Sequence, residues 1–557
     1  MSCPVTPATT TTPAPRTRRL PLAGVLRLGR PADIWFKPAL SVVASVAPPN
    51  LLLTALGRLD LALYTMAGSL CALYAHNRPY AARARVLAWV VLGMVGGLAA
   101  ALVAASLTSS AVVLVTVGAL LAALQKALCD ATRIGPPGNV VLTFIATASL
   151  FAPQTLGQVP GHLALAGAAG AWSWLVGMAP GLLRPHGPER RAAAGALRDA
   201  AAHADTRGTA DGHARTRAAA AAAVQAAWQS LSAAGGAHAR RGLERLVVRA
   251  EVALAAPADT DPQQLRAWAD ELTGSGPVPE VHDPAAAGEP PGVRAERAAP
   301  PRPLRTRLGP LAPIAVRTAL GCALAGYTSL ALGVGRPYWA VVTAASLYQA
   351  NLALTWTRGV QRIVGNLLGV LLFAAVVPLA HLGPAALVLC CLAFNFGAEA
   401  LIGRNYWLGT VCVTPMALLV TEFTGFQEPG TLITERVVDT VVGALVGFVA
   451  AMAVTNRRSG DRVEHALRAA ERAREHTARL LAETAPAPVA VEAARRALAA
   501  ALAELRATVD AASGEWWQRA LPQERVVRAE QAGHRTLAAT VRRQGLHPSG
   551  EAEGVRP

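Results

Sequence analysis

Arginine can hold a carboxylate through two parallel hydrogen bonds, and this chain places arginines where long apolar runs begin. Arg358 and Arg362 stand one helical turn apart, directly ahead of Ile363-Val364-Gly365-Asn366-Leu367-Leu368-Gly369. They read either as a pair that attracts an anion at the mouth of a pathway or as positive charges retained on one side of a membrane. Arg317 lies about two turns inside its own apolar run, where it must snorkel or face water. Tyr338 and Trp339 can stack an aromatic substrate, although an aromatic pair at the end of an apolar run reads first as an interface anchor. Thr343 adds a hydroxyl one turn further on. Glu399 shares a helix face with Asn395 and is either a proton carrier or a solvated carboxylate. Arg436 and Asp439, three apart near the outer end of the last run, read as a structural pair that neutralises itself.

These residues need a membrane to position them. The chain has 557 residues, of which 53% are hydrophobic and 16% charged, with a mean hydropathy of +0.34. That is more apolar material than one soluble core consumes, and a helix needs roughly 20 residues to cross the hydrocarbon layer. Six such runs fall at about 39–56, 60–76, 86–107, 110–127, 139–153 and 161–183. Six more fall at about 311–333, 338–354, 361–380, 383–401, 406–421 and 434–455. The expected organisation is an N-terminal disordered tail (1–38), a first membrane repeat (39–183), a helical segment with a Pro-rich linker (184–308), a second membrane repeat (309–456) and a helical C-terminal region (457–557).

Loop charges orient the spans independently. Arg27, Arg30 and Lys37, then Arg78, Arg83 and Arg85, then Lys126 and Arg133 mark alternate loops, and Arg358, Arg362, Arg404, Arg457 and Arg458 repeat the pattern. The opposite loops carry Arg58, Arg336 and Arg436. By the positive-inside rule both termini and the central segment face the cytoplasm of a plasma-membrane protein. A fixed offset of 277 residues carries Ala67, Ser69 and Leu70 onto Ala344, Ser346 and Leu347, Arg85 onto Arg362, and Gly170 onto Gly447. The expected fold is therefore all-α and polytopic, with about 12 transmembrane helices as two parallel six-helix repeats and a substrate path between them. Gly365 and Gly369, like Gly443 and Gly447, are four apart and let helix backbones approach closely.

Several function classes find no support. The net charge of +17 and pI near 10.6 would suit a nucleic-acid binder, but the arginines are spread over loops and Ala-rich helices, so topology and anionic lipid explain them. The lysines Lys37 and Lys126 are followed by Pro38 and Ala127, so there is no phosphate-binding Gly-Lys-Ser/Thr loop. Cys71, Cys129, Cys322, Cys390, Cys391 and Cys412 lie in or at the ends of spans, with Cys3 in the tail, and no C-x-x-C occurs. Neither a metal, a cofactor nor enzymatic chemistry is expected. The expected partners are the lipid bilayer, a small organic anion and a second copy of the chain in a homo-oligomer.

The segments Ala315 to Leu320, Arg336 to Ala340 with Thr343, Arg362 to Gly365 with Gly369, and Glu435 to Gly443 together resemble the fusaric acid resistance family of integral membrane transporters. That family includes aromatic acid exporters and is similar to plant aluminium-activated malate transporters. The resemblance covers about 311–455, with Asn366 standing where the family usually has Thr. It implies export of organic anions, among them aromatic carboxylic acids, driven by membrane potential or a proton gradient. A gated anion channel and a non-transporting scaffold with partner-binding helices remain open alternatives.

Overall fold

The computed structural model describes residues 20–29, 34–206, 210–233, 238–255, 260–280, 308–454, 459–513 and 522–543, apart from a few single positions. Most of the Pro-rich linker and the Thr/Pro-rich residues 1–19 lie outside the described residues.

The apolar runs become helices because each is long, nearly free of charge, and bounded by residues that stop or cap it. The first half holds α1 (Phe36–Ala55), α2 (Ala62–Ser69), α3 (Tyr80–Leu107), α4 (Ala111–Thr132), α5 (Val140–Leu150) and α6 (Val159–Met178). Four helices of a polar bundle follow: α7 (Gly187–Ala204), α8 (Ala210–Ala233), α9 (His238–Ala255) and α10 (Pro262–Thr273). The second half holds α11 (Ala312–Ala331), α12 (Tyr338–Leu347), α13 (Leu352–Ala380), α14 (Pro384–Ile402), α15 (Tyr406–Thr421) and α16 (Pro429–Ala453). A second polar bundle closes the chain with α17 (Ser459–Ala482), α18 (Pro488–Ser513) and α19 (Gln523–Arg543). Among the described residues nine helices are long and apolar enough to cross a membrane, and the apolar segments at 59–73, 140–150 and 338–347 are shorter. The protein is an all-α, multi-pass membrane protein.

The same helix pairs pack in both halves. In the first, α2 packs on α6, α3 on α5 and α6, and α4 on α5; in the second, α12 packs on α16, α13 on α15 and α16, and α14 on α15. Between the halves the contacts are reciprocal, α1 against α14 and α11 against α4. That is the pattern of two parallel units related by an axis along the membrane normal.

Small residues set these approaches. A Cβ added at Gly443 would stand 2.6 Å from the Ala340 carbonyl oxygen, and one at Gly369 2.6 Å from the Thr414 Cβ. Gly447 likewise faces Ala344 of α12, and Gly365 faces Thr410 of α15.

The expected span at 338–354 divides. Tyr348 turns extended after α12, and Asn351 starts α13 by accepting from the Leu354 amide through its side chain. Residues 352–360 thus lengthen the next helix, so Arg362 does not begin a span; it sits ten residues, about 15 Å, inside one.

The N-terminal segment also departs from a disordered tail over its described part. The Val25 carbonyl accepts from Gln361 and Asn405, the Leu26 carbonyl from the Trp407 indole, and the Gly29 amide donates to the Arg404 carbonyl. Backbone groups with these partners are held on the second half.

The two polar bundles have their own cores, around Leu197, Trp228 and Leu246 in one and Leu467, Leu498 and Leu505 in the other. A buried contact joins them: Arg495 lies 2.9 Å from Glu251, whose other oxygen accepts from the Trp228 indole, and Arg496 covers the Trp228 ring at 4.0 Å.

Candidate functional site

Between the two halves lies a cavity of about 1430 Å³, walled chiefly by α4 and α5 of the first and by α11 to α16 of the second. Arg462 of α17 and Glu504, Ala507 and Ala512 of α18 line the other end, its wide end, so the cavity reaches the polar bundles. Its walls carry eight arginine or lysine side chains and three carboxylates. Such a surplus in a low-dielectric recess focuses a positive potential and concentrates anions.

Arg436 stands at the deep end. It lies on α16, 17 residues before that helix ends at Ala453, about 25 Å along the axis from the polar bundles. Its side chain is 1% exposed. The guanidinium sits over the Trp339 ring at 4.1 Å, and one terminal nitrogen donates to the Asn366 side-chain oxygen at 3.3 Å. Its Nε and other terminal nitrogen find no hydrogen-bond partner among the described residues. Asp439 does not pair with it, contrary to the expectation from spacing; that carboxylate accepts from Ser329 of α11 instead. The i,i+3 spacing would allow a pair, but the guanidinium is drawn to Asn366 and Trp339 while Ser329 takes the carboxylate.

Asn366 is itself tied into the wall. It donates to the Thr440 hydroxyl at 2.9 Å and accepts from Thr414, which fixes its oxygen toward Arg436. One and two turns toward the wide end, Arg362 and Arg358 share Tyr406. Arg362 donates to the Tyr406 hydroxyl at 2.8 Å, and Arg358 covers the ring at 3.8 Å. The Nε of Arg362 is buried with no hydrogen-bond partner among the described residues. Charge-assisted donors left unpaired in a buried wall are costly unless a ligand or water satisfies them.

The remaining expected residues divide. Trp339, Arg358, Arg362, Glu399 and Arg317 line the cavity, and Glu399 makes no hydrogen bond or ion pair among the described residues. Arg317 is spent on structure, donating twice to the Val454 carbonyl at 2.7 and 3.1 Å just beyond α16. Tyr338 and Thr343 are buried beside the cavity and do not line it: Tyr338 packs on Phe151, and Thr343 faces Gly443. Arg85 is exposed on α3, away from the cavity. Spacing alone missed Tyr406 and the place of Arg436 in the cavity wall. The last was legible from Pro429, because a helix starting there carries Arg436 two turns into the span and out of the loop.

Residues 322–450 match the family described as fusaric acid resistance protein-like. This fusaric acid resistance-like stretch runs from α11 to α16 and contains Trp339, Arg358, Arg362, Glu399, Tyr406 and Arg436, leaving Arg317 just outside. An uncharacterized membrane protein of Bacillus subtilis (strain 168) is 31% identical over 142 residues, 25% of this chain and 22% of that protein. An uncharacterized protein of Haemophilus influenzae is 31% identical over 134 residues, 24% of this chain and 17% of that protein. The match thus spans roughly a fifth of the length of these curated relatives. No solved structure matches.

Proposed function

We propose that the protein transports organic anions, with carboxylates on aromatic bodies as the class that suits the cavity best, outward across the plasma membrane. The observation that carries this reading is Arg436, a buried guanidinium with two unpartnered nitrogens at the deep end of a cationic cavity. A carboxylate entering from the wide end meets Arg358 and Arg362 first. At Arg436 it can take up to two donated hydrogen bonds, with Trp339 and Phe144, whose rings stack at 5.5 Å, offering an aromatic wall. The reading places the wide end, the polar bundles and both termini in the cytoplasm, as the loop charges imply. Expelling one negative charge from an inside-negative cell gains ~2.3 kcal/mol per 100 mV, which drives efflux without nucleotide. Glu399 is the cavity carboxylate placed to carry a proton if export is also coupled to pH.

The test is uptake of radiolabelled benzoate into proteoliposomes under an imposed potential or pH gradient. Saturable, voltage- or pH-responsive flux without ATP supports the reading. A strict ATP requirement, or no flux of any organic anion, sinks it; a non-saturating current proportional to voltage would instead identify a channel.

A further inference from the structure

A second cavity, of about 710 Å³, lies outside the membrane between α8 and α9 of one polar bundle and α18 and α19 of the other. Its origin is visible in the packing. The facing walls are largely alanine, as at Ala221 and Ala503, too small to fill the space. The helices cannot close on it because the Trp228–Glu251–Arg495–Arg496 contact holds the bundles apart at one side. Its volume lies within the range of small-molecule sites.

Three arginines and three carboxylates line it, and they differ in how they are engaged: Glu530 feels the charges of both Arg506 and Arg217, but Arg506 stands nearest to it. Glu251 is held by Arg495 at 2.9 Å and by the Trp228 indole, and Glu530 lies 3.6 Å from Arg506. Asp510 and Arg506, 3.4 Å apart, are both exposed and sit in solvent at the rim. Arg217 lines the same cavity and makes no hydrogen bond or ion pair among the described residues. Beside it are His213 and His534. Burial and the neighbouring Arg217 charge hold the His534 ring down to about 4, so it is neutral near pH 7 and leaves Arg217 as the cation at that end.

We propose that this extramembrane cavity is a binding site for a monocarboxylate on an apolar body, its carboxylate on Arg217 and its body against the alanine and leucine walls of α8 and α18. The assignment is independent of the membrane cavity, which contains none of Arg217, Ala221 or Ala503.

The experiment uses the full chain in nanodiscs, with 2-naphthoate as the probe and empty nanodiscs as the blank, read by equilibrium dialysis. The expected result is a site that Arg217→Gln weakens at least tenfold, that Arg217→Lys weakens less, that Ala503→Trp fills and abolishes, and that Arg436→Gln leaves intact. Uncharged 2-naphthol should occupy it at least tenfold more weakly. The proposal is overturned if binding is unchanged in both Arg217→Gln and Ala503→Trp, if naphthol binds as well as naphthoate, or if all specific binding disappears with Arg436→Gln. The Arg217→Gln variant should still move benzoate in proteoliposomes, so failure here and failure of the transport reading give different patterns.

Discussion

Replacing Arg436 by Gln separates a binding arginine from a structural one, because the two roles move stability in opposite directions. Were Arg436 one half of a buried ion pair, losing it would strand its partner and cost about 3–5 kcal/mol. The structure instead shows a guanidinium with one hydrogen bond, to Asn366 at 3.3 Å, a ring contact with Trp339, and two nitrogens facing no acceptor. Gln removes a desolvated charge and keeps a donor for Asn366, so the ligand-free variant should unfold at the same temperature as wild type or slightly above it. Binding should suffer. Each charge-assisted hydrogen bond to a carboxylate is worth about 1.5–3 kcal/mol, and each 1.4 kcal/mol is about tenfold in affinity. The benzoate concentration for half-maximal uptake should therefore rise at least about tenfold, and the stabilisation that benzoate confers on purified protein should vanish. Arg436→Lys, which keeps the charge and loses the fork, should fall between. The assays are proteoliposome uptake and thermal unfolding with and without benzoate. A variant that transports with unchanged half-saturation, or one that is strongly destabilised without ligand, refutes the reasoning and returns Arg436 to a structural role.

Other expectations follow from single contacts. Gly443→Val should lower stability by about 1–3 kcal/mol and reduce the yield of monodisperse protein, because its Cβ would stand 2.6 Å from the Ala340 carbonyl, a backbone atom that cannot rotate away. Orientation can be read by labelling: the six described native cysteines are buried, so a Cys introduced at exposed Gln229 should resist an impermeant maleimide in intact cells and react after lysis, and labelling of intact cells would reverse the topology. The first polar bundle should be acid-sensitive. Burial, with His213 and Arg217 of α8 nearby, holds His203 down to about 4 against an ordinary 6.5, so the stability of its neutral form is complete above about pH 6.5 and is lost as pH falls toward 4. Hydrogen exchange in α7 and α8 should accelerate over that window in wild type and much less in His203→Gln.

The parts of the fold that hydropathy controls were legible before any coordinates. Apolar runs mark all twelve apolar helical segments, and the polar stretches between and after them become the helical bundles. What spacing could not supply was decided by three-dimensional satisfaction of polar groups. The docked segment around Val25 is held through carbonyls that accept from Gln361, Asn405 and Trp407, and a backbone hydrogen bond leaves no trace in side-chain chemistry. Arg317, a charge inside an apolar run, reads equally as a snorkelling residue or a pathway one, and only the fold shows that the carbonyl of Val454 absorbs it. Arg436 looked like half of a pair because Asp439 lies three residues away, but Ser329 from another helix reaches that carboxylate first.

The internal repeat shows where the two halves have parted, and it corrects the role assigned to Arg85. Buried positions along α3 include Arg83, Leu87, Val90, Met94 and Leu98; those along α13 include Arg362, Asn366, Gly369, Phe373 and Val377. Each pair differs by 279 residues, whereas the offset of 277 that aligns Gly170 with Gly447 would set these buried α3 positions on partly or fully exposed ones of α13. Two extra residues between α12 and α13 therefore make Arg83 the counterpart of Arg362. In the first half Arg83 is closed off by His76 at 3.1 Å, and the counterparts of Asn366 and Arg436 are Leu87 and Val159. Among the described residues the Arg362, Asn366 and Arg436 constellation thus occurs once, in the second half, while the first contributes a wall of the same cavity. Arg85→Gln should leave benzoate uptake within about twofold of wild type, since its side chain is exposed and outside the cavity. Arg362→Gln should raise half-saturation about tenfold or more. Equal losses from both, at matched expression, would show that both halves contribute charge to the path and that the asymmetry is wrong.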